Sequence, residues 1–116
     1  MAFDPVLRRE IALKVPLPAV LISPALRQRF LREAQAAAGL DHPYLVSVYE
    51  ADEIPPICYI ASTYCEGPTL AAWLKDHPGP VPARKGARLI AAVSEGIAHA
   101  HERRILHRDM KPSNIL

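Results

Sequence analysis

Apolar and polar residues alternate in a short segment near the start of the chain, which predicts a β-strand over residues 11–15. Ala12 and Lys14 fall on one face of this strand, and three branched apolar side chains fall on the other. Before it, Asp4-Pro5 is a turn signal, and the basic residues that follow indicate a hairpin tip. We therefore expect a hairpin tip within residues 1–9, followed by this strand.

A helical pattern follows, with clear signals for its first and last residues. Ser23 is a typical N-cap, Pro24 suits the first helical position and Gly39 is a typical stop, which predicts a helix over residues 24–38. Glu33 falls on the apolar stripe of this helix. The stripe consists of Leu26, Phe30, Ala34 and Ala37. A carboxylate on a core-facing stripe is costly unless a cation meets it.

Two sources of positive charge could meet Glu33. Lys14 lies on the strand that comes just before the helix, whereas Arg29 and Arg32 lie on the helix and could pair with Glu33 on an exposed face. We favour the Lys14–Glu33 pair, given the loop at residues 107–114 near the end of the chain.

The rest of the chain is expected to contain two more strands and two more helices. These are a strand over residues 44–50, a buried strand over 57–62, a short amphipathic helix over 69–75 and a long helix over 83–104. An acidic and prolyl connection at residues 52–56 separates the two strands, and residues 63–68 break the chain before the helices. The long helix has an apolar stripe of Leu89, Ile90, Val93, Ile97 and Ala100.

Composition indicates a globular protein and gives no sign of a nucleic-acid or membrane partner. Of the 116 residues, 50% are hydrophobic and 22% are charged. The net charge of +2 is small and its basic residues are scattered. No apolar run approaches the roughly 18 residues that span a bilayer, and no secretion signal is present. Cys58 and Cys65 lack metal or redox spacing and are expected to be free thiols in a reducing, cytoplasmic compartment.

The final residues carry the densest cluster of reactive groups. Asp109, Lys111 and Asn114 supply a carboxylate, an ammonium and a carboxamide, and Pro112 prevents them from continuing a helix. We expect a loop held between two short strand segments at residues 105–106 and 115–116. Phosphoryl transfer to a hydroxyl needs a carboxylate for the hydroxyl, a cation beside the phosphoryl group and an oxygen ligand for magnesium. The alternative is a basic, solvated loop that merely ends the preceding helix.

The segment from His107 to Asn114 resembles the catalytic loop of the protein kinase family, which reads H-R-D, four residues and then Asn. A lysine two places after the aspartate, as Lys111 is, resembles the pattern of the serine/threonine branch of that family. Residues 11–14 likewise resemble the V-A-I-K strand of that family. The resemblance implies an α+β, two-lobed kinase fold that is only partly present. A small lobe with an antiparallel sheet and one helix would cover about residues 1–62, a hinge 63–68, and the start of the helical lobe 69–116.

The same resemblance implies ATP and Mg²⁺ as cofactors and a protein serine or threonine as the substrate. Asp109 would orient and deprotonate the hydroxyl, Lys111 would offset charge on the transferring phosphoryl group, and Asn114 would bind magnesium. Lys14 would contact the α and β phosphates, and Glu33 would hold Lys14.

Other positions receive roles from the resemblance alone. ATP would contact Ala12, the carbonyl of Thr63, the amide of Cys65, and Leu116. His107 and Arg108 would be regulatory, with Arg108 responding to a phosphorylated activation segment.

Parts of the kinase pattern are missing from this sequence. There is no glycine-rich segment before the lysine strand, and no D-F-G or activation segment after the catalytic loop. We therefore expect the central portion of a bacterial-type serine/threonine kinase, marginally stable and inactive as an isolated chain. The alternatives are a noncatalytic pseudokinase or interaction module, and a small-molecule phosphotransferase of similar fold, against which Lys111 weighs.

Overall fold

The computed structural model describes residues 1–6 and 8–116, so Leu7 in the expected hairpin tip lies outside the described residues. Its elements, in order, are β1 (Ala2–Asp4), β2 (Arg9–Lys14), α1 (Pro18–Ile22), α2 (Pro24–Ala38), β3 (Val48–Ile54), β4 (Ile57–Thr63), α3 (Leu70–Asp76), α4 (Ala83–Glu102) and a 3₁₀ turn over Pro112–Asn114. The predicted α+β class is confirmed. The chain divides into two compact units, Met1–Tyr64 and Cys65–Leu116.

The first unit contains one antiparallel sheet with the strand order β1-β2-β4-β3. Lys14 of β2 lies opposite Ile60 of β4, and Glu53 of β3 lies opposite Cys58 of β4. Opposite residues project to the same side of a sheet, and so do alternate residues of one strand. These four side chains therefore share one face.

Helix α2 covers that face. Arg27 of α2 places its Nε 3.5 Å from the carboxylate of Glu53. Cys58 of the sheet is fully buried, and Ala34 of the helix is only 5% exposed. It follows that Lys14 projects from the side of the sheet on which α2 packs.

The predicted first and last residues of α2 are confirmed. The Oγ of Ser23 accepts a hydrogen bond from the backbone N–H of Leu26 at 3.5 Å, Pro24 is the first helical residue, and Gly39 is the C-cap. A short helix, α1, precedes α2 and was not predicted. It begins with Pro18 at its first position, which helices tolerate.

The predicted core-facing side of α2 is wrong at two positions. Leu26 is 46% exposed, and the side chain of Glu33 is 60% exposed. The buried position is Ala34, and successive residues on a helix lie about 100° apart around its axis. Glu33 therefore lies to one side of the contact with the sheet, where water reaches it.

Strand β3 begins later than predicted and also ends later. Residues 44–47 were expected to be part of the strand, but Tyr44 and Leu45 lie in a turn in which their N–H groups donate to His42. The strand then runs through the acidic residues that were expected to form a connection, and it stops at Ile54 before two prolines. Strand β4 matches its prediction to within one residue.

The two helices of the second unit also follow the sequence closely. Helix α3 begins after Thr69, whose Oγ1 accepts a hydrogen bond from the N–H of Ala72 at 3.2 Å. Gly96 and Ala100 are the buried residues of α4, whereas Ile90, expected on its core stripe, is 63% exposed. Although α4 has 20 residues, neither it nor another described helix is both long and apolar enough to cross a bilayer.

Helix α4 ends in a Schellman motif with arginine at the left-handed position. The N–H of Arg104 donates to the carbonyl of His101 at 2.8 Å, and that of Ile105 donates to the carbonyl of Ala100 at 2.9 Å. Arg104 has a φ of 61°. Glycine is usual at this position because a Cβ crowds the backbone in the left-handed conformation.

Replacing Arg104 with glycine should raise the free energy of unfolding by about 0.5–1 kcal/mol. Relief of a left-handed conformation that costs about 1–2 kcal/mol outweighs the roughly 0.4–1 kcal/mol that glycine adds to the entropy of the unfolded chain. Urea unfolding of the purified protein measures the change.

The matched control is Arg103→Gly, because Arg103 has a φ of −93° and its guanidinium contacts the carbonyl of His99 at 3.2 Å. This variant should lose stability. A lower urea midpoint for Arg104→Gly than for the parent protein would contradict the assignment of strain to Arg104.

Candidate active site

The loop from His107 to Asn114 is held by backbone hydrogen bonds, and the strand segments expected on either side of it are absent. The second unit, all of whose residues are described, contains no strand with which residues 105–106 and 115–116 could pair. Instead, the carbonyl of Ile115 accepts a hydrogen bond of 2.8 Å from the N–H of Leu70, the first residue of α3. The end of the loop is thereby attached to the start of a helix.

A strained turn lies immediately before the aspartate. The N–H of Asp109 donates to the carbonyl of His107 at 2.8 Å, and the residue between them, Arg108, has a φ of 60°. A hydrogen bond across two residues with a positive φ at the central one is the rare, strained form of γ-turn. Such conformations cost about 1–3 kcal/mol and persist where the surrounding contacts hold them. The turn fixes the backbone direction from which the Asp109 side chain projects.

Three side chains that the sequence singled out meet in this loop. The Nζ of Lys111 lies 2.8 Å from Oδ2 of Asp109. The Nδ2 of Asn114 donates to the same Oδ2 at 3.1 Å and to the backbone carbonyl of Asp109 at 2.8 Å. A 3₁₀ turn that begins at Pro112 brings Asn114 back to the aspartate. The loop thus binds one oxygen of the carboxylate from two sides.

These contacts set the charge and the free surface of Asp109. The hydrogen bond from Lys111, followed by that from Asn114, lowers the pKa of the carboxyl group below its ordinary value. The side chain is 63% exposed. Both donors use Oδ2, so Oδ1 is available to accept a hydrogen bond from another molecule. An ionised carboxylate with one available oxygen can bind and orient a hydroxyl group.

The amide of Asn114 has chemistry that suits a magnesium ion. Both groups that it contacts on Asp109 are hydrogen-bond acceptors, so the group that faces them is the NH₂. Its carbonyl oxygen points elsewhere. An amide oxygen beside an ionised carboxylate belongs to the hard oxygen ligands that Mg²⁺ takes.

In the first unit, Lys14 and Ala12 occupy neighbouring positions on the face that α2 covers. Lys14 is exposed, and Ala12 is half-buried opposite Ser62 of β4. The small side chain of Ala12 leaves room beside an exposed ammonium, as the alternation of the strand predicted.

Glu33 is paired with Arg29. The Nε of Arg29 lies 2.9 Å from Oε1 of Glu33, one helical turn further along α2. This hydrogen bond and the negative charge of Glu33 raise the pKa of Arg29. The pair corresponds to the alternative in which an arginine of the helix meets Glu33 on an exposed face. The Lys14–Glu33 pair stays a prediction.

The remaining predicted residues lie in three places. Thr63 is the last residue of β4, and its N–H donates to the carbonyl of Ser47 at 2.9 Å. Cys65 is half-buried in the irregular segment that follows, and Leu116 is 62% exposed. Contact of these residues with ATP stays a prediction, as do the regulatory roles of His107 and Arg108.

Two features of the site escaped sequence reasoning. The bond between Leu70 and Ile115 joins backbone groups, which leave no signal in the sequence. The γ-turn at Arg108 likewise leaves no signal in the sequence, because a positive φ is predictable only for glycine or asparagine.

Comparison with known proteins supplies a family for this arrangement. A family model described as the protein kinase domain matches residues 7–116. Over its whole length the chain is 40% identical to serine/threonine-protein kinase PrkC of Bacillus subtilis and 41% identical to serine/threonine-protein kinase PknF of Mycobacterium tuberculosis. It spans only 18% of the first relative and 25% of the second.

A solved structure gives the same result. The crystal structure of the Mycobacterium tuberculosis PknI kinase domain matches 90% of this chain with a TM-score of 0.80 and 34% sequence identity, and the match covers 42% of that domain. The match extends the likeness from the sequence to the fold. The chain belongs to the protein kinase family.

Proposed function

We propose that the protein containing this chain transfers the γ-phosphoryl group of ATP to serine or threonine hydroxyls of other proteins. The observation that carries this proposal is the carboxylate of Asp109, held through Oδ2 by both Lys111 and Asn114. Relatives that cover the whole chain are serine/threonine-protein kinases. The chain spans a quarter or less of their length, so the activity is proposed for the whole protein.

Asp109 orients the substrate hydroxyl through its available Oδ1. Because its pKa is lowered, the carboxylate is ionised at neutral pH and is a weak base. A weak base is sufficient, since phosphoryl transfer proceeds through a loose transition state in which positioning and charge stabilisation matter most. Asp109 accepts the hydroxyl proton as the oxygen forms its bond to the γ-phosphorus, while the bond from that phosphorus to the bridging oxygen breaks and ADP leaves.

Lys111 and Asn114 each have a second task beside the aspartate. The ammonium of Lys111 offsets negative charge on the group in transfer, and the amide oxygen of Asn114 is a ligand for Mg²⁺. ATP is the donor of the phosphoryl group, and a Mg²⁺ ion held by Asn114 would supply positive charge that stabilises its phosphates. The contacts of both side chains with Oδ2 of Asp109 support their presence at one reaction centre.

Residues of the first unit hold the nucleotide. Lys14 binds the α and β phosphates, and Glu33 holds Lys14 for that purpose. The position of Lys14 on the face covered by α2 supports this role, because Glu33 belongs to α2. Ala12 leaves room for the base, and Thr63, the last residue of β4, adds a further nucleotide contact.

His107 and Arg108 are the regulatory residues of the proposed kinase. His107 and Arg108 form the turn that precedes Asp109, so a phosphorylated activation segment that binds Arg108 acts directly on the position of the aspartate.

Two features suit a location in the cytoplasm. The reaction consumes ATP, and Cys58 and Cys65 are free thiols.

Replacing Asp109 with asparagine should reduce kcat by about 10²–10⁴-fold and change the Kd for ATP less than twofold. The variant keeps the shape of the side chain but cannot accept the proton. The measurement is phosphorylation of a generic serine- and threonine-containing protein by the protein expressed from its whole gene.

Asp76→Asn is the matched control for that experiment, because Asp76 is another exposed aspartate of the second unit. It should retain the parent rate. Full turnover in Asp109→Asn would exclude the assigned role.

A second prediction concerns the acid limb of the pH profile. Activity requires ionised Asp109, so it falls as pH decreases through the lowered pKa of this carboxyl group. Lys111 is the largest cause of the lowering, so Lys111→Gln should raise the pKa and move the acid limb of kcat/KM to higher pH.

The control for this profile is Lys75→Gln, which removes an exposed lysine from α3 and should leave the limb in place. If the acid limb of kcat/KM in Lys111→Gln kept its position or moved to lower pH, the ionisation of another group would determine that limb.

A further inference from the structure

We propose that Arg29 competes with Lys14 for the carboxylate of Glu33, and that it thereby limits how often Lys14 is held ready to bind nucleotide phosphates. Arg29 is then a positioning residue that acts through Glu33. The inference rests on the proposed function, in which Glu33 holds Lys14.

The competition arises because α2 offers a single carboxylate. Its sequence, PALRQRFLREAQAAA, contains one acidic residue, Glu33, and three arginines. Arg29 lies one helical turn before Glu33, with 2.9 Å between its Nε and Oε1 of the carboxylate. Residues four apart on a helix face each other whatever the helix packs against. The Arg29–Glu33 pair can therefore form wherever α2 sits on the sheet.

Pairing of Lys14 with Glu33 depends on the position of α2, whereas pairing of Arg29 with Glu33 does not. Lys14 projects from β2 on the face of the sheet that α2 covers. On this face Arg27 of α2 pairs with Glu53 of β3, and the side chain of Ala34 is buried. Glu33 lies to one side of that contact and is exposed. Its carboxylate can thus pair either with Arg29 of its own helix or with Lys14 of strand β2.

The competition should be balanced, because the Arg29–Glu33 pair is weak. The two side chains are 64% and 60% exposed, so water screens their attraction. The order along the helix, with the cation before the carboxylate, is also the less favourable one for such pairs. Loss of Arg29 should therefore shift the population in favour of Lys14 by about twofold, the usual scale of an exposed pair.

The first test is the ATP dependence of phosphorylation by the protein expressed from its whole gene. Arg29→Gln should raise kcat/KM for ATP about twofold. Arg29→Lys should keep the parent value, because a lysine can pair with Glu33 in the same way. In a Glu33→Gln background, Arg29→Gln should have no effect.

The matched control is Arg32→Gln, which removes a guanidinium from the same helix. Within residues 1–6 and 8–116, Arg32 forms no ion pair, so its loss tests the general effect of one positive charge. Equal effects of Arg29→Gln and Arg32→Gln, or a fall in kcat/KM for Arg29→Gln, would overturn the proposal.

The second test needs no phosphotransfer and therefore separates this inference from the proposed function. An amine reacts with an acylating ester only when it has lost its proton, and a paired carboxylate keeps the proton in place. Without nucleotide, acylation of Lys14 relative to Lys75 in the same sample, measured by mass spectrometry, should slow about twofold in Arg29→Gln.

The two tests give distinguishable failures. Slower acylation of Lys14 without any phosphotransfer would support the competition and refute the proposed function. Active phosphotransfer with Lys14 acylation unchanged in Arg29→Gln would refute the competition and leave the proposed function intact.

Discussion

The structure depends on one constraint in its second unit, namely that a carboxylate is bound through a single oxygen while the other is left available. Lys111 and Asn114 meet at Oδ2 of Asp109 because a proline starts a 3₁₀ turn between them. The loop is attached at its far end to the start of α3 and is bent at its near end by a strained turn at Arg108. Exposure, charge and direction of the aspartate all follow from this arrangement.

The first unit supplies a second constraint, which comes from the register of its sheet. Pairing of β2 with β4 puts Lys14 on the side that α2 covers, where Arg27 of the helix pairs with Glu53 of β3. The ammonium and the carboxylate of Glu33 are thus brought to one side of one sheet. The register does not decide which cation Glu33 takes, and an arginine of the same helix holds it in this structure.

Much of this could be predicted from the sequence, because the signals were local. Ser23, Pro24 and Gly39 set the limits of α2, and the segment from His107 to Asn114 indicated the chemistry of the site. Prediction failed where a local turn replaced the start of a strand and where packing decided which side of a helix is buried. Strand β3 starts four residues late since His42 accepts backbone hydrogen bonds from the residues that should have opened it. Glu33 was assigned to the core stripe because an apolar pattern gives the angle of a buried face only coarsely.

The central claim is that Asp109 is held ionised through Oδ2 with Oδ1 available, and a ¹³C NMR titration of its carboxyl group in the folded protein tests it most directly. The signal can be assigned by its absence from Asp109→Asn. If Lys111 and Asn114 bind the carboxylate as described, Asp109 should titrate below the ordinary aspartate value of about 3.9. Titration at or above that value would contradict the account, since no carboxylate bound by an ammonium and an amide at these distances could behave so.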